Sequence, residues 1–115
     1  MANDSAPRAA LSEAQLEAMA RRFRALGVPS RLRVLDALMA GPLSMGALEE
    51  ATQLTQSNLS RQVTELEQAG CVVRDRKGRE VQVRISDPSL KRLCEIVCGA
   101  IERRAERTHA SLRRG

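Results

Sequence analysis

The chain has 115 residues, of which 43% are hydrophobic and 29% are charged, and its formal net charge is +5. This length allows one domain with one modest core, and the composition is typical of a folded domain and not of a disordered one. The single aromatic residue, Phe23, argues against binding of single-stranded nucleic acid, which needs aromatic platforms, whereas the positive charge fits a polyanionic partner.

The sequence also argues against several other classes of protein. No stretch has the length of a membrane span and residues 1–8 lack a signal-peptide core, so we expect a cytoplasmic protein that does not contact membranes. An enzyme is not expected, because the only histidine, His109, lies near the C-terminus and no phosphate-binding glycine loop is present. Three cysteines in a reducing compartment do not indicate a disulfide framework.

The first half of the chain predicts three helices after a flexible tail at residues 1–10. Ser12 and Gln15 form a capping box for the first helix, which ends at Gly27. Its apolar stripe consists of Leu16, Met19, Ala20, Phe23 and Leu26. The second helix begins near Pro29 and ends before Gly41-Pro42, and Ser44 caps a short third helix.

A fourth helix and a β-hairpin follow. Thr55 is a plausible cap for the fourth helix, which extends over residues 55–69 and whose buried face would carry Leu59, Val63 and Leu66. Apolar residues alternate in Val81–Ile85, and Lys77-Gly78 marks the turn of a hairpin that begins at Cys71.

The last predicted element is a long helix that starts at Asp87-Pro88 and ends near Arg107, followed by a basic tail at residues 108–115. The domain therefore covers residues 11–107. Its fold class is mainly α with a small β-hairpin wing, in the order ααααββα, which is a winged helix-turn-helix.

The fourth helix is the candidate recognition helix for the major groove of DNA. Its predicted DNA-binding residues are Gln56, Ser57, Asn58, Ser60, Arg61, Gln62 and Thr64, and those of the wing are Arg76, Lys77 and Arg79. Arg61 suits guanine, Asn58 or Gln62 suits adenine, and the two serines suit phosphates. The alternative is an ordinary solvated helix, but a basic hairpin directly after it favours DNA binding.

Three segments resemble the ArsR-type (arsenic-repressor) family of winged helix-turn-helix transcriptional regulators. They are Arg31–Leu35, Leu54–Val72 and Val81–Pro88, and the resemblance extends over about residues 16–101. It implies a homodimer that associates through its first and last helices, represses an operon and leaves its operator when an inducer binds. The chain departs from the family at Gln53, where glycine is common, at Gln62, where histidine is frequent, and at Cys71, where leucine is usual.

The resemblance also allows the known inducer sites of the family to be tested. A cysteine pair near Leu43–Leu48 and a histidine near Ser89 are both absent, so no zinc-type metal site is expected. Cys94 and Cys98 remain, and their i, i+4 spacing places both thiols on one flank of the last helix. They suit As(III), Sb(III) or another thiophilic ligand, or a redox or reactive sulfur signal.

Alternatives without a sensing role stay open for the three cysteines, and one alternative without DNA binding stays open for the domain. Cys94 and Cys98 could be small packing residues of a ligand-independent repressor or an architectural protein, and we interpret Cys71 as a core residue. A protein-interaction domain that uses the winged helix without DNA is a further class. It would show no salt-dependent association with duplex DNA.

Overall fold

The computed structural model describes the backbone of residues 10–114 and the side chains of residues 10–110. Within this range the chain forms five helices and three strands. They are α1 (Glu13–Leu26), α2 (Pro29–Ala37), β1 (Leu43–Ser44), α3 (Met45–Thr52), α4 (Gln56–Gln68), β2 (Val72–Lys77), β3 (Glu80–Ile85) and α5 (Pro88–Arg114). The predicted winged helix-turn-helix is confirmed, and residues 1–9 of the tail predicted at residues 1–10 lie outside the described residues.

Short polar side chains begin four of the helices, as the sequence predicts. Ser12 accepts a hydrogen bond from Gln15 N (3.1 Å), and the Gln15 side chain accepts one from Ser12 N (2.8 Å), so the capping box is complete. Ser44 and Thr55 accept from the third backbone amide of α3 and α4. Asp87 Oδ1 accepts from Ser89 N (2.8 Å) at the start of α5, and this bond holds the pKa of Asp87 below its ordinary value.

The wing is a three-stranded antiparallel sheet in the order β1-β3-β2, in which β3 is the central strand. Lys77 pairs with Glu80, and Gly78 begins the two-residue loop with a φ of 65°, a conformation that glycine adopts without a steric penalty. Sequence reasoning predicted a hairpin and missed β1. This strand has only two residues, Leu43 and Ser44, and forms by pairing with Val83 and Gln82, which are distant in the sequence.

One apolar core connects the helices to the sheet. Its fully buried members include Leu35 of α2 and Leu38 directly after it, Leu48 of α3, Leu59, Val63 and Leu66 of α4, Cys71 directly before β2, and Val72 and Val83 of the sheet. The predicted inner face of α4 is therefore confirmed. Cys71 is a core residue, as interpreted from the sequence.

The fifth helix is longer than predicted. It continues to Arg114, so residues 108–114 are helical and the predicted end near Arg107 is wrong. No glycine or proline interrupts residues 100–114, and their alanine, glutamate and arginine residues favour helix. Leu90 is buried against the core, whereas nearly all side chains from Glu95 to Ala110 are exposed.

Candidate DNA-binding site

The turn between α3 and α4 is held by side chains of its own residues. The hydroxyl of Thr52, which is buried, donates to the Leu48 carbonyl (2.6 Å) and accepts from Leu54 N (3.3 Å). Gln53 adopts a left-handed conformation (φ 60°, ψ 21°), and its Nε2 donates to the Glu50 carbonyl (2.7 Å). This geometry explains why glycine suits position 53, since a side chain there costs about 1 kcal/mol.

The N-terminal half of α4 presents a row of polar side chains. Gln56, Ser57, Ser60 and Arg61 are exposed, and Asn58 is half-buried. The opposite face is held by Leu59, Val63 and Leu66, which are fully buried. The row therefore sits on a rigidly anchored helix, and the free backbone N–H groups at the start of α4 favour phosphate.

A groove separates this row from the wing. It is lined by Met45 and Glu49 of α3, Gln56, Ser57 and Ser60 of α4, Arg74 of β2 and Val81 of β3. The structure thus brings three of the sequence-predicted residues to one surface together with the base of the wing. Glu49 is the acidic member of this surface.

Arg74 joins the wing to the recognition helix. Its Nη2 donates to Thr64 Oγ1 (2.9 Å), and its Nε lies 3.4 Å from Glu67 Oε1 without the geometry of a hydrogen bond. Thr64 is half-buried, and its hydroxyl serves this contact, which the helical pattern alone did not reveal. The wing consequently cannot move independently of α4 without breaking this contact.

Gln62 lies at the flank of α4 and faces α2. Its Oε1 accepts from Arg31 Nε (2.9 Å), and its Nε2 donates to Asn58 Oδ1 (2.9 Å). Both polar atoms of this predicted base-reading side chain are thus engaged inside the protein. Direct contact between Gln62 and a base stays a prediction.

The tip of the wing carries exposed positive charge. Arg76, Lys77 and Arg79 are all exposed. Among residues 10–110, ion pairs join Arg74 to Glu67 and Arg84 to Asp75 (2.6 Å), and none involves these three cations. The tip is therefore free to contact the phosphate backbone or the adjacent minor groove.

The three cysteines differ in exposure, and each has a raised pKa. Burial raises the pKa of the Cys71 thiol. Burial and the negative charges of Asp36 and Glu95 raise the pKa of Cys94, which is half-buried. Cys98 is exposed and donates to Glu102 Oε1 (3.3 Å), and this hydrogen bond and the carboxylate charge raise its pKa. These thiols are consequently protonated at neutral pH.

The described part of the chain offers neither a metal cluster nor a membrane helix. No group of three or more His, Cys, Asp or Glu side chains in it is arranged to hold a metal ion. Across the same residues, no helix combines the length and the apolar character that crossing a membrane requires.

Large apolar side chains of the first and last helices are exposed, and we call them the apolar face. We use this name for Leu16, Met19 and Phe23 of α1 with Ile96, Val97 and Ile101 of α5, whose exposed fractions range from 44% to 65%. Large apolar side chains that are concentrated on a surface often mark an interface with a partner. Leu16, Met19 and Phe23 of the predicted α1 stripe are therefore not part of the core of a single chain, whereas Leu26 packs against it.

An anchored polar helix beside a basic wing defines a winged-helix DNA-binding domain. A family model described as "MarR family" matches residues 29–80. The chain is 36% identical to the HTH-type transcriptional regulator NmtR of Mycobacterium tuberculosis over 89 residues. The aligned segment covers 77% of this chain and 74% of NmtR. The chain therefore belongs to the family of HTH-type transcriptional regulators, and its relatives are named as regulators and not as enzymes.

Solved structures agree with this assignment. One is the homodimeric winged helix-turn-helix DNA-binding domain of Mb0332 from Mycobacterium bovis, named as a "possible ArsR-family transcriptional regulator". It has a TM-score of 0.77 and 28% identity and covers 86% of this chain and 94% of its own. Another is the antimony-specific transcriptional repressor AntR, with a TM-score of 0.75 and 25% identity, which covers 92% of this chain and 96% of its own.

Proposed function

We propose that this protein is a sequence-specific, homodimeric transcriptional repressor of the ArsR type that binds double-stranded DNA in the cytoplasm. The observation that carries this function is the exposed polar row of α4 beside the free cations of the wing tip. The matched MarR model covers residues 29–80 and leaves out α1 and α5. The similarity to Mb0332 covers 86% of the chain and so favours the ArsR type.

DNA binding is tested by a gel shift with the promoter upstream of its own gene, at several salt concentrations. Arg61→Ala should relax the preference for bases, because guanidinium contacts to guanine carry sequence information. Arg79→Ala should weaken binding to all sequences equally and reduce the slope of log K against log salt by about 1. Equal effects of both variants on all sequences would contradict the placement of α4, and no salt-dependent shift would contradict DNA binding.

The apolar face supports the homodimer. Burying Ile101, Phe23 and their neighbours against a second copy gains roughly 1.5 kcal/mol or more for each large side chain. The first and last helices of the two chains would then form the interface that the family resemblance implies. Such an interface also sets the distance between two recognition helices, which must match two half-sites of an operator.

The oligomeric state is tested by sedimentation. Ile101→Asp should convert a dimer into a monomer, because burying a carboxylate in an apolar interface without a compensating charge or hydrogen bond is costly. Arg103→Asp is the control, since it lies about 200° around the helix from Ile101. A monomeric wild-type protein, or a dimer that both variants leave intact, would contradict this interface.

For the inducer we propose a thiophilic ligand at Cys94 and Cys98, with As(III) and Sb(III) as the favoured chemistry. Both thiols lie on α5 next to the proposed interface, and soft sulfur ligands suit these metalloids. The similarity to AntR, an antimony-specific repressor, supports this chemistry. The thiolate is the form that reacts with oxidants and that binds metalloids, so the raised pKa of both thiols bears on the two inducer classes equally, and a redox or reactive sulfur signal is the second candidate.

The inducer is tested by adding arsenite, antimonite or a persulfide donor to the protein–DNA complex. Release of DNA by a metalloid, lost in Cys94→Ser and Cys98→Ser and kept in Cys71→Ala, is the expected result. Release by the persulfide donor alone would support the sulfur signal. Unchanged DNA affinity with every compound would leave the ligand-independent repressor as the function.

A further inference from the structure

A chain of hydrogen bonds leads from α1 to the recognition helix. Arg31 of α2 donates through Nη1 to the Ala25 carbonyl of α1 (3.4 Å) and through Nε to Gln62 Oε1 (2.9 Å). Gln62 Nε2 then donates to Asn58 Oδ1 (2.9 Å). Arg31, Gln62 and Asn58 are half-buried, so the hydrogen bonds among them are partly shielded from water.

Arg31 determines which atoms donate and which accept in this series of hydrogen bonds. A guanidinium has only donors, so the atom of Gln62 that faces Arg31 must be its carbonyl oxygen. The amino group of Gln62 then faces Asn58, and the atom of Asn58 that it meets must be an oxygen. Asn58 Nδ2 is left over, and within residues 10–110 it makes no hydrogen bond.

The orientation of the Asn58 amide affects which base this side chain can bind. An asparagine pairs with adenine in the major groove by donating to N7 and accepting from N6, which requires both Nδ2 and Oδ1 to face the edge of the base. In this protein Oδ1 is already held by Gln62. A fixed amino group can donate to guanine (N7 or O6), to thymine (O4) or to adenine N7, but at adenine it leaves the adjacent N6 amino group without an acceptor, so guanine and thymine are favoured.

We infer that Arg31 and Gln62 are positioning residues that hold Asn58 as a hydrogen-bond donor, so that the base facing Asn58 is read as a keto base, guanine or thymine, and not as adenine. This inference rests on the proposed binding of DNA by α4. It replaces the sequence-based expectation that Asn58 or Gln62 pairs with adenine. Gln62 acts here through Asn58 and without touching the DNA.

Two isosteric variants reverse the polarity. In Gln62→Glu both terminal oxygens are acceptors, so one pairs with Arg31 and the other must receive the amino group of Asn58, which turns its Oδ1 toward the DNA. In Asn58→Asp the oxygen that is not held by Gln62 faces the DNA directly. Both variants should therefore prefer amino bases, cytosine or adenine, at the same position.

The experiment selects duplexes from a randomised library and sequences those bound by each protein. The wild type should enrich a keto base at one position of each half-site, and both variants should shift the ratio of keto to amino bases there by about tenfold. Gln68→Glu is the control, because it adds the same charge at an exposed position at the end of α4. It should keep the wild-type preference.

The outcomes separate the inference from the proposed function. If Gln62→Glu and Asn58→Asp keep the wild-type ratio at every position, as Gln68→Glu does, the inference fails while DNA binding stands. If the wild type enriches no sequence, the proposed function itself fails. Asn58→Asp leaves the Arg31–Gln62 pair intact and supplies the answer if Gln62→Glu does not fold.

A third variant tests the role of Arg31. Arg31→Met removes the obligate donor, so both amides can turn over, and the ratio of keto to amino bases should move toward one. Arg33→Met removes an exposed cation from the same helix and should leave this ratio unchanged. A ratio that Arg31→Met also leaves unchanged would show that Asn58 is not oriented by this chain.

Discussion

The two ends of this molecule differ in how complete they are within one chain. At the DNA-facing end, which consists of α3, α4, β2 and β3, inward-facing side chains such as Leu48, Leu59 and Val83 are fully buried, and the buried hydroxyl of Thr52 in the turn is hydrogen-bonded. On the apolar face, Phe23 is 54% exposed and Ile101 is 64% exposed. One chain therefore suffices to build the proposed DNA-reading surface, whereas the apolar face would be covered only in the proposed dimer.

The free energy of unfolding therefore has two contributions, one from contacts within a chain and one from contacts between two copies. Contacts at the DNA-facing end contribute to stability at any protein concentration, because both partners belong to the same chain. Contacts made by the apolar face with a second copy contribute only where the dimer forms, so their effect depends on concentration.

The largest effect is expected in the core of the recognition helix. Leu59→Ala should lower the free energy of unfolding by about 3 kcal/mol, because Leu59 is fully buried and its truncation leaves a cavity. Phe23→Ala should cost much less in dilute protein and more where the dimer forms. Urea unfolding at two protein concentrations measures both, and equal losses at both concentrations for Phe23→Ala would mean that Phe23 packs within its own chain.

A smaller effect is expected in the turn before α4. Thr52→Val keeps the shape of the side chain but removes the hydroxyl that bonds to Leu48 and Leu54, and it should cost about 1–2 kcal/mol. Thr52→Ser keeps the hydroxyl and serves as the control in the same urea titration. A serine variant as unstable as the valine variant would mean that the methyl group of Thr52 contributes as much as its hydroxyl, and a stable valine variant would mean that the hydroxyl contributes nothing.

Much of the DNA-facing end was predictable because its signals are local. The bounds of α4 follow from the Thr55 cap and from the spacing of Leu59, Val63 and Leu66. The wing follows from alternation in Val81–Ile85 and from Gly78. These features need only neighbours within a few residues, which a single sequence displays directly.

The features that the sequence did not predict depend on contacts between residues that are distant in the sequence. A helical wheel places Gln62 and Thr64 near the DNA-facing side, but Arg31 and Arg74 engage them from α2 and β2. The pairing that creates β1 is equally non-local. The stripe of α1 showed the correct helical period, but period alone does not distinguish a core from an interface with a second chain.

The left-handed residue in the turn allows a third prediction. Gln53→Gly should raise the free energy of unfolding by about 0.5–1 kcal/mol, because glycine adopts a positive φ without a steric penalty. The gain is limited by the loss of the hydrogen bond from Gln53 to the Glu50 carbonyl. A loss of stability in the urea titration would mean that this hydrogen bond outweighs the backbone strain.

The smallest effect concerns the thiol of Cys98 on the incomplete side of the molecule. Glu102 accepts its S–H and raises its pKa above the ordinary value of 9.0, so less thiolate is present at neutral pH. Glu102→Gln removes the carboxylate charge, which should lower this pKa and speed alkylation of Cys98 at pH 7.5 by about two- to five-fold, since both groups are exposed. Cys94→Ser is the background for this measurement, so that Cys98 is the reactive thiol.

The dependence on pH provides the check on the mechanism. Thiolate is the reacting form, so the two rates should converge as the pH rises above both pKa values, where Cys98 is fully ionised with either residue at position 102. A difference in rate that persists there would indicate that Glu102 blocks access to the sulfur. In that case the carboxylate would not control the reactivity of the proposed inducer site through its charge.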